Sequence, residues 1–395
     1  MPELGVMRAP GQVLFGEGMV AALGRVAAAH GGRVLVCTDG YLAGAEQGRL
    51  ALGALREAGL EARVLDAAEP ELPRASVEAA IEAAREMRPD CVVGLGGGSC
   101  LDLAKLVALG LATEGPLDRF YGEAAVPGPV LPMVAVPTTA GTGSEVTPVA
   151  VLSDPAIALK VGISSLHLVP RAAICDPRLT LGAPAAVSAY AGIDALAHAI
   201  EAFTAVERDG WEDAVDRVFV GRNVLSDRFA LHAVELLGGS LRGAVEDRPA
   251  ARRAALEGSL CAGLAFAAAG TAAAHALQYP LGARTKTPHG LGVGLLLPFV
   301  MAANAPACRD RLDLVAAALG VEGAEAAVRV VRDLGLDLGL PSTLSELELA
   351  EEDLAGMAEQ ALGIERLVAN NPRPMTQELA TEILRAAWTG DLRLN

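Results

Sequence analysis

Cys91-Val-Val-Gly-Leu-Gly-Gly-Gly-Ser-Cys-Leu-Asp-Leu-Ala-Lys105 decides how the first half of this chain folds. Five apolar residues run into three glycines and Ser99, and helical spacing then continues from Leu101 to Leu111. A strand therefore enters a glycine turn and a helix leaves it. Gly96, Gly97 and Gly98 let a phosphate approach the backbone, and a helix start offers free N–H groups and positive potential. The spacing is not the GxGxxG of the usual dinucleotide turn, and glycine-rich turns also make plain tight turns, so the reading needs support from its neighbours.

Working outward, the same rhythm repeats. Arg33–Thr38, Ala62–Leu65, Met133–Val136 and Ala172–Cys175 read as strands, and Gly48–Ala58 and Ser76–Met87 as helices, the latter capped by Ser76. Strand and helix in alternation predict a parallel sheet covered on both faces. A second turn, Pro137-Thr-Thr-Ala-Gly-Thr-Gly-Ser144, again follows a strand. Strand carboxyl ends are where open α/β sheets bind ligands, and two such turns favour a dinucleotide. Asp39, ending another strand, supports two readings equally: an acid that holds an adenosine ribose and repels a 2′-phosphate, or an ordinary Asp-Gly turn.

After Pro184 strand signals fade. Ala185–Thr204, Ser226–Leu241, Ala250–Tyr279, Gly290–Ala303, Asp310–Leu319, Ala324–Leu334, Glu351–Leu362 and Thr376–Trp388 all favour helix, with Val206–Asp213 as a loop. We expect an α/β domain over residues 1–183, with a Rossmann-like parallel sheet, and an all-helical domain over 184–395.

Of the 395 residues, 52% are apolar and only 3% aromatic, so the cores must be built from Ala, Leu and Val. A net charge of -16 argues against a nucleic-acid partner. Six scattered cysteines without a CxxC pair suit a reducing cytoplasm, and no signal peptide is evident at the start. Gly258–Ala283 is uncharged and long enough to span a bilayer, but its Ala and Gly content predicts a helix buried in a bundle, not a membrane partner.

The chemistry concentrates in Ala191-Gly-Ile-Asp-Ala-Leu-Ala-His-Ala-Ile200. Asp194 and His198 are one helical turn apart and share a face, so both can reach one ion. A surface Asp–His pair is the plain alternative, but the apolar neighbours predict burial, and a buried carboxylate needs a cation or strong donors. His275 sits in the uncharged helix, where a lone histidine is ordinarily a core residue. His289 follows Pro288, and the Gly282–Pro288 loop lets the chain double back and aim both imidazoles at one point. His30, His167 and His232 look structural.

These segments, with Pro137–Thr147 and Pro288-His-Gly290, resemble the iron-containing (group III) alcohol dehydrogenases along nearly the whole chain. The resemblance implies a dehydroquinate synthase-like architecture, with the site between an α/β and a helical domain. It implies a homodimer or larger oligomer, NAD as cofactor, and Fe2+ as metal, although the ligand types alone also suit Zn2+, Mn2+, Co2+ or Ni2+. Position by position it makes Asp194, His198, His275 and His289 the metal ligands. It assigns cofactor binding to Asp39, Gly96, Gly97, Gly98, Ser99, Asp102, Thr138, Thr139, Thr142, Thr147 and Lys160. Two positions depart from the family. Tyr279 stands where many members have a further histidine; either it serves instead as a catalytic hydroxyl relay or the proton passes through water. Pro70-Glu-Leu-Pro73 replaces Pro-Asn-Pro.

The implied reaction is hydride transfer between NAD(H) and a small primary or secondary alcohol, aldehyde or ketone. A metal- and NAD-dependent cyclising lyase of the dehydroquinate synthase type is the alternative, but its phosphate-bearing substrate calls for more basic groups than Arg284 and Lys286. A non-catalytic nucleotide- or metal-binding protein is the third reading. Phe266, Tyr279, Val368 and Asn371 are the expected substrate-facing residues.

Overall fold

The computed structural model describes residues 5–157, 159–208, 214–215 and 217–392, so the loop expected at Val206–Asp213 lies outside the described residues from 209 onward. The chain forms two compact units. One is Arg8–Leu181; the other runs from Gly182 on, joined by the segment ahead of Arg8. Val6 donates its N–H to Asn223 Oδ1 within that second unit.

The first unit is built on a six-stranded, wholly parallel sheet. In chain order its strands are β1 (Gln12–Phe15), β2 (Arg33–Cys37), β3 (Glu61–Leu65), β4 (Cys91–Gly96), β6 (Met133–Pro137) and β9 (Ala172–Cys175), arranged β1-β9-β6-β4-β2-β3. A small second sheet holds β5 (Gly122–Glu123), β7 (Val149–Asp154) and β8 (Leu159–Ser164). The helices are α1 (Leu23–Ala28), α2 (Gly40–Gly44), α3 (Glu46–Glu57), α4 (Arg74–Met87) and α5 (Gly98–Ala112). Apolar runs are continuous because both sheet faces are covered. Val34, Val36, Val93, Leu95, Val134 and Val136 pack with Leu23 of α1 and Leu55 of α3. Leu35, Cys37, Val92, Met133 and Ala135 pack on the other side with Val77 and Ile81 of α4 and Leu101 and Ala104 of α5.

The expected strands and their parallel order are observed, while β1 and the antiparallel β7–β8 pair are additions. Ser76 does not cap its helix. That helix starts at Arg74 after Pro73, and the Ser76 hydroxyl donates to Glu69 instead. Strand order reverses between β2 and β4, and the carboxyl ends of β2, β4 and β6 lie side by side there, with Cys37 opposite Gly94 and Gly96 opposite Pro137. Such a switch point leaves a crevice for a ligand.

The second unit is helical: α6 (Ala185–Thr204), α7 (Val224–Val245), α8 (Pro249–Ala269), α9 (Ala273–Thr285), α10 (His289–Ala318), α11 (Ala324–Asp337), α12 (Leu354–Leu362), α13 (Glu365–Val368) and α14 (Gln377–Thr389). The stretch read as a single helix, Ala250–Tyr279, is two, bent by 101°. The chain breaks where Gly270 takes φ +79° and Ala272 leaves helical geometry. Asn370 secures the break by donating to the carbonyls of Ala269 and Thr271. The two runs expected at Gly290–Ala303 and Asp310–Leu319 are both helical, and within α10 they follow one another without a loop across a kink where Cys308 leaves helical geometry. Among the described residues α10 is the one single helical element long and apolar enough to cross a membrane, but 72% of its most apolar stretch is buried inside the protein, as befits a core helix.

Candidate functional site

Asp194 is the hub of the helical unit. His198 Nε2 lies 3.9 Å from its Oδ2, and His275 Nε2 and His289 Nε2 lie 3.5 and 3.8 Å from its Oδ1. Asp194, His198 and His275 are buried, and one ligand atom from each falls within 4.8 Å of the others; His289 is 27% exposed. The four expected residues thus converge from α6, α9 and α10.

Local structure explains the convergence. One turn of α6 separates Asp194 from His198. The break before α9 swings His275 into stacking contact with His198, ring centroids 4.7 Å apart, while Phe266 covers the opposite face of that site at 4.3 Å from the His198 ring. His289 starts α10, and Gly290 lets that helix end press on α6: a Cβ there would sit 2.1 Å from Tyr190 O and 3.1 Å from Asp194 Cβ. Tyr279 is tilted against His289 at 6.1 Å between ring centroids.

Two acceptors behind the imidazoles were not anticipated. Glu201, a further turn along α6, accepts from the backbone N–H of Ala272 (2.8 Å) and Ala274 (2.6 Å) and from His275 Nδ1 (2.6 Å). Gln278 Oε1 accepts from His289 Nδ1 at 2.6 Å. Both leave the Nε2 atoms facing Asp194. The signal for Glu201 was in the sequence: 194, 198 and 201 follow helical spacing on one face.

Burial pushes the Asp194 carboxyl up, but the imidazoles of His198, His289 and His275 outweigh it and hold it well below the usual carboxylate range. Burial pushes His275 down, and Glu201 and Asp194 together raise it to about 9. The pocket therefore demands positive charge beside Asp194. Asp194 Oδ1 and His275 Nε2 are buried without a hydrogen-bond partner. Orphaned polar atoms of this kind are costly, and a cation among one carboxylate and imidazoles of borderline softness resolves them, so the residues fit a divalent transition metal.

In the α/β unit Asp39, Gly96–Ser99 and Thr138–Thr142 lie at or just past the three adjacent strand ends, whereas Asp102 lies in α5, Thr147 just ahead of β7 and Lys160 on β8. Asp39 caps α2, its Oδ1 accepting from the N–H of Tyr41 and Leu42 and its Oδ2 from Cys100 Sγ. Gly96 has φ +145°, and a Cβ there would meet Cys100 Sγ at 2.4 Å; at Gly98 it would meet Thr142 Cγ2 at 2.7 Å. The two turns therefore touch, and Thr138 N donates to Gly96 O. Gly97–Ser99 form the open N-terminus of α5. Lys160 pairs with Glu71, in the segment that departs from the family pattern.

Asp102 and Thr147 face inward. Asp102 accepts from Ser144 Oγ (2.5 Å) and Val151 N (2.9 Å), and Thr147 O receives the ammonium of Lys105 (2.9 Å), which also donates to Val149 O (2.6 Å). Lys105 and its neighbour Glu145 are both buried and carried no assignment from the sequence. Of the expected substrate-facing residues, Phe266 and Tyr279 stand at the metal cluster. The Asn371 amide is committed to Asn304 and to Arg373 O.

Family models match both units. Residues 10–177 match "Iron-containing alcohol dehydrogenase", and residues 188–388 match "Fe-containing alcohol dehydrogenase family, C-terminal". The chain belongs to the iron-containing alcohol dehydrogenase family. It is accordingly an enzyme, a metal-dependent oxidoreductase of alcohols and their carbonyl compounds, with the family's dehydroquinate synthase-like fold. Long-chain-alcohol dehydrogenase 1 of Geobacillus thermodenitrificans is 35% identical over 387 residues, covering 95% of this chain and 93% of the relative. A 1,3-propanediol oxidoreductase structure superposes with a TM-score of 0.90 at 32% identity, covering 98% of this chain and all of the other. Sulfoacetaldehyde reductase from Bifidobacterium kashiwanohense, solved in complex with NAD+, gives 0.85 at 28% identity, covering 98% of this chain and all of its own.

Proposed function

We propose that Asp194, His198, His275 and His289 hold the enzyme's divalent cation, Fe2+, and that the α/β unit carries the NAD(H) with which a small alcohol and its aldehyde or ketone are interconverted. The convergence of one carboxylate and three imidazoles on a buried point carries this reading. When bound, the cation supplies Lewis acidity toward the substrate oxygen, worth several kcal/mol, and the nicotinamide accepts or returns the hydride.

The chain's own residues bind and orient. Glu201 and Gln278 fix the imidazoles with Nε2 inward. Phe266, packed on His198, keeps water from that side. The N–H groups of Gly97–Ser99 at the start of α5 receive the pyrophosphate. Thr138, Thr139 and Thr142 offer hydroxyls from the second turn, and Asp39 takes the adenosine ribose, which favours NAD over its 2′-phosphorylated form. Lys160 completes the cofactor contacts, while Asp102 and Thr147 hold the second turn in shape. Tyr279, beside His289, passes on the substrate's proton.

The lyase alternative fares worse, because Arg284 is paired with Asp353 and Lys286 donates to Ala283 O. All six cysteines are buried and unpaired, which supports work in a reducing cytoplasm; assembly as a homodimer or larger is part of the same proposal.

The deciding experiment is an anaerobic metal assay joined to an alcohol and aldehyde panel followed by NADH absorbance. His275→Ala should abolish bound metal and turnover together. Turnover persisting in metal-free protein would refute the reading.

A further inference from the structure

A carboxylate has no hydrogen to give, so every group within bonding distance of Glu201 must be a donor. There are three: the N–H of Ala272, the N–H of Ala274 and His275 Nδ1. His275 therefore carries a proton on Nδ1, and when the ring is neutral its Nε2 presents a lone pair 3.5 Å from Asp194 Oδ1. A lone pair facing a carboxylate oxygen repels it unless something positive lies between. The ring is thus held in the one tautomer that makes the pair useful to a cation.

The other two donors matter as much. A helix leaves its first N–H groups without internal partners. α9 has no cap from its own Ala272, and Glu201 reaches across from α6 to take two of these donors. The same carboxylate that orients the imidazole therefore anchors the helix end carrying it. Its charge also sits at the positive end of the helix dipole. Turning the ring would unseat the helix start, and loosening the helix start would release the ring. His289 is held differently, by the neutral amide of Gln278 from α9.

Resting on the reading that this cluster holds the metal, we propose that Glu201 is a positioning residue for the ion: it sets the His275 tautomer and fixes the start of α9, and so determines metal affinity without touching the metal. Outer carboxylates that orient a ligating imidazole typically govern affinity by 10–100-fold.

Glu201→Gln tests this in the full-length protein, stripped of metal and titrated with Co2+ in competition with a chelator. Glutamine keeps the size but brings an NH2 that must face one of the three donors. If it faces His275, the ring's proton moves to Nε2 and closes the ligand atom. We expect Co2+ binding weakened about 10–100-fold, an altered Co2+ visible spectrum, and unchanged NADH affinity. Asn370→Ala is the control for mere loosening, since it frees the carbonyls of Ala269 and Thr271 at the same bend but leaves Glu201 and His275 intact. It should stay within roughly threefold of the parent, well short of the 10–100-fold expected at Glu201. Equal losses in the two variants, or none at Glu201→Gln, overturn the proposal. A parent protein that binds no stoichiometric Co2+ overturns the metal reading itself, a distinct result. A measurement independent of the variant's folding is the histidine 15N spectrum of the Zn2+-loaded parent. The His275 ring, assigned through its bonds to the backbone, should show a protonated Nδ1 and a metal-bound Nε2, as should His289; the opposite pattern at His275 sinks the inference.

Discussion

Replacing Lys105 with methionine isolates what its buried ammonium does. The side chain is almost fully buried, and its Nζ donates to Thr147 O at 2.9 Å, Val149 O at 2.6 Å and, more weakly, Thr147 Oγ1 at 3.4 Å. These contacts tie α5, whose first turn is the glycine turn, to the chain leaving the Pro137–Ser144 turn. Methionine fills nearly the same space, so little cavity results. Two buried carbonyls lose their donor, at about 1–3 kcal/mol each. The carboxylates of Asp102 and Glu145, whose ionisation the ammonium favours, lose their nearby cation. Burial works against the ammonium, bringing its pKa down to about 8, and its removal returns part of the loss. A net cost of about 3–5 kcal/mol follows, the usual price of taking one partner from a buried charged network. For a unit of this size that is a fall in Tm of roughly 10 °C. Thermal unfolding gives the first readout, and NADH and Co2+ titrations the second. NADH affinity should drop about tenfold, the equivalent of 1.4 kcal/mol of lost preorganisation, while Co2+ affinity, a property of the helical unit, should not move. A Lys105→Met protein with parental Tm and NADH affinity would show that the two turns do not depend on this strut.

Glu145 provides a pH test. Burial raises its carboxyl from 4.5 to about 7, against its own backbone N–H and Lys105, and its Oε1 lacks a hydrogen-bond partner. The folded protein then keeps a proton that the unfolded chain releases. The stability from this group is full below pH 4.5 and is lost as pH rises through 7. Glu145→Gln should therefore gain about 2–3 kcal/mol on the parent between pH 5 and pH 8 in urea unfolding, and parallel pH profiles for the two proteins would refute the assignment. Gly290→Ala forces a Cβ to within 2.1 Å of Tyr190 O, so α10 must retreat from α6 and carry His289 away from Asp194. Metal affinity should fall at least about tenfold, a loss of 1.4 kcal/mol or more, and a chelator competition assay giving the parental value would contradict that geometry.

What was legible in the sequence follows from what is local. β2, β4, β6 and β9 announce themselves because a strand buried on both faces is a continuous apolar run. β7 was missed although Val149–Asp154 alternates between buried and half-buried positions, as a strand covered on one face should. The helix over Ala250–Tyr279 was read through its break because the alanine-rich spacing is uninterrupted. The break depends on Glu201 and Asn370, 71 and about 100 residues away in the chain. In the candidate site, Asp194 and His198 declare themselves through one helical turn. The doubling-back after Gly282 allowed His275 and His289 to meet, but nothing in their spacing fixes where α9 and α10 lie against α6, and the family resemblance made the four a ligand set.

The charged residues that hold these turns share a physical role, whether or not the sequence pointed to them. Lys105 holds the carbonyls of Thr147 and Val149; Asp102 holds Val151 N; Asp39 holds the N–H of Tyr41 and Leu42; Glu201 holds those of Ala272 and Ala274. Each is a charge, Lys105 and Glu201 buried and Asp39 and Asp102 half-buried, set against backbone where the chain turns. A core of Ala, Leu and Val with 3% aromatics packs well but cannot hold an irregular turn, because the peptide groups there have no ladder or helix to satisfy them. A charged side chain of the right length does satisfy them, more strongly than a neutral one. Reach therefore matters as much as sign at these positions, which is why charge along the sequence did not mark Lys105 and Glu201: they look like surface charges, and both are buried.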